Sequence, residues 1–373
     1  MTGRARRTVL VAGGTSWYLW NFRRKVIGAL VAGGMEVIAV APQDDYSGQL
    51  AALPGVRWID WPLALNGASP VQEFSSLLRY GRIARQTRPD FVINHGIKAN
   101  IYGGLACRLL SIPYANSVTG LGMMLSKTGL GPRALGKLYA FACNRARVLF
   151  IQNYDDLAVL RGAGLSEKVK IIRTFGSGVD LAHFALAPMP GGKARTFLFV
   201  GRLQRDKGIC DFVEAARRVR AEYPHARFVA VGSQRFANRG AVSDAMLEDW
   251  KREGIVEFAG HQSDVRPWLE QAHALVLPSH GGEGIPRAIL EAAAMGRPSI
   301  SNDVPGCRDA VIAGRTGYVC AAQDIAALAD AMREICRASD DELASMGRAA
   351  RADAEARFSD VQLIEAIVAA ARA

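Results

Sequence analysis

Residues 196–220 read TFLFVGRLQRDKGICDFVEAARRVR, and the hydrophobic period changes within them. TFLFV (196–200) is a short continuous apolar run of β-forming residues. Beyond the glycines, Ile209, Phe212, Val213, Ala216 and Val219 recur at i, i+3, i+4, i+7 and i+10, the stripe of a helix packed on one face. Strand, glycine turn and helix in that order predict a β–α unit of a parallel sheet. The alternation continues through RFVAV (227–231), VEFA (256–259), ALVLP (274–278) and PSI (298–300).

The same rhythm occupies the first half. TVLVA (8–12), EVIAVA (36–41), FVIN (91–94), VLFIQ (148–152) and KIIR (170–173) read as strands, with helix-period segments near 20–33, 70–87 and 99–110. A Pro/Gly-rich stretch, LAPMPGGKAR (186–195), separates the two series. The expected architecture is therefore α/β, with two doubly wound Rossmann-like domains facing each other across a cleft. Residues 1–187 form the first, residues 188–355 the second, and 356–373 a final helix. Ligands bind such sheets at the carboxyl ends of the strands.

Composition removes several classes. Of 373 residues, 50% are apolar and 22% charged, and 38 glycines outnumber 15 prolines, which excludes disordered and collagen-like chains. No apolar run approaches the roughly 18 residues of a spanning helix. The opening MTGRARRTVLVAGGTSW carries too short an apolar stretch for a secretion signal, so the chain is expected in the cytosol. The six cysteines are scattered without a C-x-x-C pair and read as reduced packing residues. No cluster of His, Asp and Cys has ligand spacing, and the Asp-Asp pairs at 44/45, 155/156 and 340/341 lack a D-x-D form, so neither metal nor other cofactor is expected.

The formal charge of +11 is uneven. Residues 1–187 hold 22 Lys+Arg against 10 Asp+Glu, whereas residues 188–373 hold 24 against 25. No acidic residue falls between Asp90 and Asp155, an interval that contains Lys98, Arg108, Lys127, Arg133, Lys137, Arg145 and Arg147. The first half should attract an anion: a nucleic acid, an acidic small molecule or anionic lipid.

Three places carry candidate chemistry. Gly13 and Gly14 in VLVAGGTSW follow the first strand, where they make either a tight turn or a phosphate cradle at a helix N-terminus. A nicotinamide dehydrogenase fits poorly, because the third glycine of G-x-G-x-x-G is missing and no tyrosine is followed by Lys at Tyr-x-x-x-Lys spacing. After the strand at 196–200, Gly201 turns the chain and Arg202 and Lys207 precede a helix, as a diphosphate site or as a solvated surface pair. Finally, ALVLPSHGGEGIPRAILEAAAMGRP (274–298) places Glu283 in a glycine-rich loop and Glu291 among small helical residues. A carboxylate so packed needs a partner, either sugar or ribose hydroxyls or a neighbouring arginine.

Gly201-Arg202-x4-Lys207-Gly208, followed by Glu283-Gly-Ile-Pro-x4-Glu291-Ala-x3-Gly296-x-Pro298, resembles the E-x7-E pattern of the family 4 retaining glycosyltransferases of GT-B architecture. The likeness covers nearly the whole chain. It implies that Arg202 and Lys207 grip the nucleotide diphosphate, that Glu283 touches the transferred sugar and that Glu291 holds the ribose. Gly14, Gly201, Gly284, Ile285 and Pro286 join the donor site, and VEFAGHQSD implicates Gly260 and His261 at the base pocket. NHGIKANIYGG, NSVTGLGMML, WNFR (20–23) and DVPGCRDAV (303–311) resemble the bacterial subgroup that extends polyprenyl-diphosphate-linked glycans of surface polysaccharides and glycoproteins. His95, Lys98 and Thr119 then belong to the acceptor side.

The resemblance implies a retaining, metal-independent transfer of a hexosyl or N-acetylhexosaminyl unit, with UDP the expected nucleotide, to a membrane-linked acceptor. Met123, Met124, Leu125 and Leu130, followed by Arg133, Lys137, Arg145 and Arg147, read either as core residues with solvated cations or as a docking face on the anionic inner surface of the plasma membrane. Three other readings share some features. A sugar-nucleotide epimerase has the same two-domain plan; a glycoside hydrolase would flank the scissile bond with two carboxylates about 5–9.5 Å apart; a basic nucleic-acid-binding protein fits the charge but lacks a binding motif.

Overall fold

The computed structural model describes residues 6–63, 69–121, 129–192, 194–234, 240–282 and 284–373. They form two compact units, Met1–Ser177 together with Val361–Ala373, and Gly178–Asp360.

The first unit is a parallel sheet of β1 (Thr8–Ala12), β2 (Glu36–Ala41), β3 (Val56–Asp60), β4 (Phe91–His95), β5 (Tyr114–Ser117), β6 (Val148–Ile151) and β7 (Ile171–Arg173), ordered β3-β2-β1-β4-β5-β6-β7. Its helices are α1 (Ser16–Ala32), α2 (Ser47–Ala51), α3 (Pro70–Thr87), α4 (Ile97–Leu110), α5 (Leu130–Cys143) and α6 (Tyr154–Gly162). The strands read as unbroken apolar runs because both faces are covered. Leu10, Ala12, Ile38, Val40 and Val92 pack beneath Tyr80, Ala99 and Tyr139 of α3, α4 and α5. The alternate residues Val9, Val11, Val37, Ala39 and Ile93 pack with Leu19, Ile27 and Leu30 of α1 and with Leu363 and Ile367 near the C-terminus.

Local chemistry fixes the helix starts. Thr15 caps α1 by accepting from the Tyr18 amide, so the helix begins four residues before the apolar period announces it. Ser69 and Gln72 form a capping box ahead of α3, with Pro70 in the first turn.

The second unit is a parallel sheet of β8 (Thr196–Val200), β9 (Arg227–Val231), β10 (Val256–Gly260), β11 (Ala274–Leu277), β12 (Ser299–Asn302) and β13 (Gly317–Cys320), ordered β10-β9-β8-β11-β12-β13. Its helices are α7 (Ile209–Glu222), α8 (Asp244–Glu253), α9 (Arg266–Gln271), α10 (Arg287–Ala294), α11 (Cys307–Ala310), α12 (Ile325–Arg337) and α13 (Asp340–Asp353). The stripe on α7 is buried as its spacing requires, with Phe212 against Phe199. The last helix, α14 (Asp360–Arg372), supplies the C-terminal core residues of the first unit.

Buried Arg297 anchors the segment that leads into this sheet. Its guanidinium donates to the carbonyls of Leu269 (2.8 Å), Ala187 (3.0 Å) and Pro188 (2.6 Å), and burial lowers its pKa to about 10.

Both sheets have the Rossmann order. In each, the first strand (β1 or β8) is flanked by the second and the fourth of its own series, so crossovers leave it in opposite directions. The loops after β1 and β4, and those after β8 and β11, therefore diverge and open a crevice at the carboxyl ends. No helix among the described residues is long and apolar enough to cross a membrane.

Candidate active site

In the second unit, the two sequence motifs that follow β8 and β11 meet at its switch point. The Gly201 amide donates to the Val231 carbonyl at 3.0 Å, so β8 and β9 stay paired to their ends. Arg202 follows, then a 3-10 turn over Arg205–Lys207 that enters α7 through Gly208. This turn is docked on the loop after β11: the His280 amide (2.8 Å) and the Ser279 hydroxyl (3.2 Å) both donate to the Asp206 carbonyl. Gly208 has φ +77°, and a Cβ there would overlap the Pro278 carbonyl, so a side chain would push the two segments apart. A second tie joins His280 Nε2 to Asp211 Oδ2 at 2.8 Å, and that carboxylate raises the imidazole above its ordinary pKa.

The cations rest on this frame. Arg202 is exposed, and its side chain has no hydrogen-bond or ion-pair partner among the described residues. Lys207 is half-buried in the docked turn. Positive side chains beside the start of an amphipathic helix suit a diphosphate by charge and by the helix dipole.

Gly284, Ile285 and Pro286 are buried ahead of α10, whose Glu291 is only 8% exposed. Arg287 Nε donates to Glu291 Oε1 at 2.5 Å. Burial raises the Glu291 pKa while the neighbouring guanidinium pulls it down. An arginine is thus a partner of this carboxylate, and its remaining lone pairs retain capacity for hydroxyl donors. Glu283 lies outside the described residues. Gly260 ends β10 and accepts from the Gly232 amide at 2.8 Å, with His261 exposed beside it. These two stand two strands from Gly201, about 9–10 Å at ordinary strand spacing.

In the first unit, the loops after β1 and β4 carry the other candidates. The Gly13 amide donates to the Val40 carbonyl at 3.0 Å, and Gly14 leads into the Thr15 cap. His95 ends β4, one residue beyond the Asn94 that pairs with Ala12 of β1. Its Nδ1 accepts from Arg23 Nε at 3.2 Å; burial holds the imidazole well below its ordinary pKa, and the Arg23 charge adds to the depression. Lys98 Nζ lies 2.5 Å from Glu73 Oε1, and Thr119 is half-buried after β5.

Asn94 and Asn100 of the NHGIKAN motif have a structural task. Tyr80 Oη donates to Asn94 Oδ1 (2.5 Å), Asn94 Nδ2 to Asn116 Oδ1 (2.9 Å), and Asn100 Nδ2 to Tyr139 Oη (2.6 Å). This satisfied buried network holds β4, β5 and α4 together beneath the loop that bears His95.

Two family models divide the chain between them. One described as glycosyl transferase 4-like matches residues 9–153, and one described as glycosyl transferases group 1 matches residues 194–338. The chain is a family 4 glycosyltransferase. This glycosyltransferase is 27% identical over 311 residues to the N,N'-diacetylbacillosaminyl-diphospho-undecaprenol α-1,3-N-acetylgalactosaminyltransferase of Campylobacter jejuni, covering 79% of this chain and 80% of the relative. It is likewise 27% identical over 303 residues to an Escherichia coli UDP-Gal:α-D-GlcNAc-diphosphoundecaprenol α-1,3-galactosyltransferase, covering 77% and 76%. Among solved structures, sucrose-phosphate synthase from Thermosynechococcus elongatus superposes with a TM-score of 0.79 at 18% identity over 97% of each chain, a likeness of fold. The two glycosyl transferase family models and the named relatives, rather than the two-domain plan that an epimerase shares, set aside the epimerase and nucleic-acid-binding readings.

Sequence reasoning anticipated a neighbouring arginine for Glu291 without naming it, and passed over two further partnerships in this glycosyltransferase. Arg287, one helical turn before Glu291, was legible as an i,i+4 pair. The His280–Asp211 tie and the Arg23–His95 pair join residues 69 and 72 positions apart, and no local pattern announces either.

Proposed function

We propose that this glycosyltransferase moves a hexosyl or N-acetylhexosaminyl unit, with retention of configuration, from a UDP-sugar to a hydroxyl of a polyprenyl-diphosphate-linked sugar. The observation that carries the reading is the docking of the Arg202–Lys207 segment on the loop after β11, which gathers two cations and the Glu291 helix at one switch point. The diphosphate gains negative charge as the glycosidic bond breaks, so Arg202 and Lys207 stabilise the transition state more than the ground state, without requiring a metal ion. Glu291 holds the ribose hydroxyls. Glu283 takes the transferred sugar by its place in the motif, and Gly260 and His261 border the base.

Retention is supported by the α-1,3 products for which both relatives are named, since an α product from an α-linked sugar nucleotide keeps its configuration. The acceptor hydroxyl then attacks from the face that the diphosphate leaves, with a diphosphate oxygen as base. The relatives' undecaprenyl-diphosphate acceptors support the same class here, with His95, Lys98 and Thr119 on the acceptor side.

Such an acceptor resides in a membrane, and the basic first unit suits the inner face of the plasma membrane. Leu130 (85% exposed) opens α5 and Phe141 (50% exposed) lies near its end, with Arg133 and Lys137 between them, and Arg108 lies over the Phe141 ring at 3.9 Å. Each such cation near an anionic surface contributes about 1 kcal/mol of attraction. Met123, Met124, Leu125 and Lys127, which complete this face in the sequence, lie outside the described residues.

The test is nucleotide release from UDP-, GDP- and dTDP-sugars, each with and without a polyprenyl-diphosphate-sugar acceptor, and the product's anomeric configuration by NMR. UDP release that needs the acceptor and gives an α linkage supports the reading. Release without acceptor dependence, or an inverted linkage, overturns it. Sedimentation with liposomes should increase with anionic lipid and decrease with salt; indifference to both would remove the membrane face.

A further inference from the structure

Arg23 is 1% exposed and has no carboxylate partner among the described residues. Its recorded contacts are the Nε hydrogen bond to His95 Nδ1, one from Nη1 to the Phe22 carbonyl at 2.9 Å, and the Tyr18 ring, whose centroid lies 5.3 Å from the guanidinium carbon. A buried, unneutralised guanidinium is costly unless something anionic completes its surroundings.

The same pair fixes a tautomer. Arginine Nε always donates, so His95 Nδ1 must offer its lone pair, and in the neutral ring the proton resides on Nε2. That Nε2 is buried and has no hydrogen-bond partner among the described residues, and His95 itself is 1% exposed. The Tyr18 hydroxyl, on a ring 6.1 Å from the imidazole, is a second buried polar atom that makes no hydrogen bond of good geometry among the described residues, with the Arg23 guanidinium beside it. Both occur where the loops after β1 and β4 diverge, the place where such a sheet takes a ligand.

We propose that Arg23, His95 and Tyr18 form a phosphate-oxygen subsite in the first unit, in which His95 acts as an Nε2–H donor held in that tautomer by Arg23, and that the acceptor's diphosphate occupies it. This rests on the transferase reading above for the acceptor's identity, whereas the donor tautomer and the affinity for phosphate oxygen do not. His95 contacts substrate as a donor; Arg23 is a positioning residue that acts through it and turns the positive end of the chain Arg23–His95 towards the anion. A general-base role for Nε2 is excluded by the same geometry, because the lone pair a base needs is on the nitrogen that faces Arg23.

The experiment uses the full chain labelled with 15N-histidine, with His95 assigned by its loss in His95→Gln. At pH 7 the His95 ring should show a protonated Nε2 and an unprotonated Nδ1, and inorganic pyrophosphate should shift Nε2 in an Arg202→Ala background that weakens the donor-side site. In Arg23→Met the tautomer preference and the pyrophosphate response should both be lost, and Tyr18→Phe should weaken the response with the fold checked by thermal melting. Kinetically, His95→Ala should raise the acceptor KM about tenfold, the effect of one charge-assisted hydrogen bond, while Gln, whose amide replaces the Nε2–H, should recover most of that loss. A protonated Nδ1, a pyrophosphate titration that leaves Nε2 unmoved, or a kcat collapse shared equally by Gln and Ala would overturn the proposal. If no polyprenyl-diphosphate acceptor is used, the transferase reading of the acceptor fails, and the pyrophosphate titration still decides the subsite.

Discussion

Arg287 and Glu291 stand one turn apart on α10, and the guanidinium of the first donates to the carboxylate of the second from the more exposed side of the pair. Burial raises the Glu291 pKa and the arginine acts against that shift, favouring the charged form that accepts from hydroxyl groups.

Glu291→Gln preserves the shape and removes the charge. The expected result is a donor kcat/KM lowered roughly 10–100-fold, the equivalent of about 1.5–3 kcal/mol for hydrogen bonds to a charged group. Arg287→Ala should act in the same direction with a pH signature. Without the guanidinium the carboxyl titrates at higher pH, so its donor affinity should recover as pH rises. Steady-state kinetics against nucleotide sugar from pH 6 to 9 checks both; a pH-independent deficit in Arg287→Ala would detach the pair from donor binding.

His280 and Asp211 tie the glycine-rich loop after β11 to α7. The imidazole pKa is raised in the folded state by the carboxylate, so the protonated pair stabilises the fold fully below the ordinary histidine value, and the contribution is lost as pH rises through the raised value. Asp211→Asn should therefore lower Tm more at pH 5.5 than at pH 8.5. Calorimetric melts at the two values give the comparison, and an equal or reversed difference would mean that His280 is neutral in the fold.

Much of the architecture was legible in residues that obey a simple period. TFLFV, RFVAV, TVLVA and EVIAVA became β8, β9, β1 and β2 with the bounds their apolar runs suggest, and α3 filled 70–87. Strands β3, β5 and β13 were not legible. VRWID mixes charges with aromatics, and YANS places Asn116 and Ser117 in a core position where polarity normally argues against a strand. Asn116 is tolerated because Asn94 satisfies it, and that partnership spans 22 residues. The docked turn after β8 was readable through its glycines, since Gly208 is required by the Pro278 carbonyl. The partners of Glu291, His280 and His95 required coordinates, or at least an i,i+4 search for the first.

Arg297 fills a different need, satisfying carbonyls of the segment before β8 and of α9. Arg297→Met removes every donor and leaves one buried and three part-buried carbonyls without it. The expected loss is about 3 kcal/mol or more, since each unsatisfied buried group costs about 1–3 kcal/mol. In a unit of this size that corresponds to a Tm lower by roughly 6–12 °C. Arg297→Lys should recover part of it. A melting temperature unchanged in Met would show that the segment from Ala187 to Pro188 contributes nothing to stability.

Arg202 and Lys207 differ in how the fold holds them, and their variants should differ accordingly. Arg202 is exposed and unpartnered among the described residues, so Arg202→Ala should leave Tm within about 1 °C, as surface substitutions away from packed features usually do. Lys207 sits half-buried in the docked turn, and Lys207→Ala should cost a little stability as well. In the proposed diphosphate roles both remove a charge from an anion that grows as the glycosidic bond breaks, so kcat should decrease by about 10²–10³, the scale for one donor aimed at developing charge, with KM for the nucleotide sugar less affected. Arg202→Lys should recover only part, because an ammonium lacks the paired donors of the guanidinium. Kinetics and melting on the same preparations separate the two effects. If kcat is unchanged in Arg202→Ala, the departing diphosphate is stabilised by other groups and the docked turn is a structural feature alone.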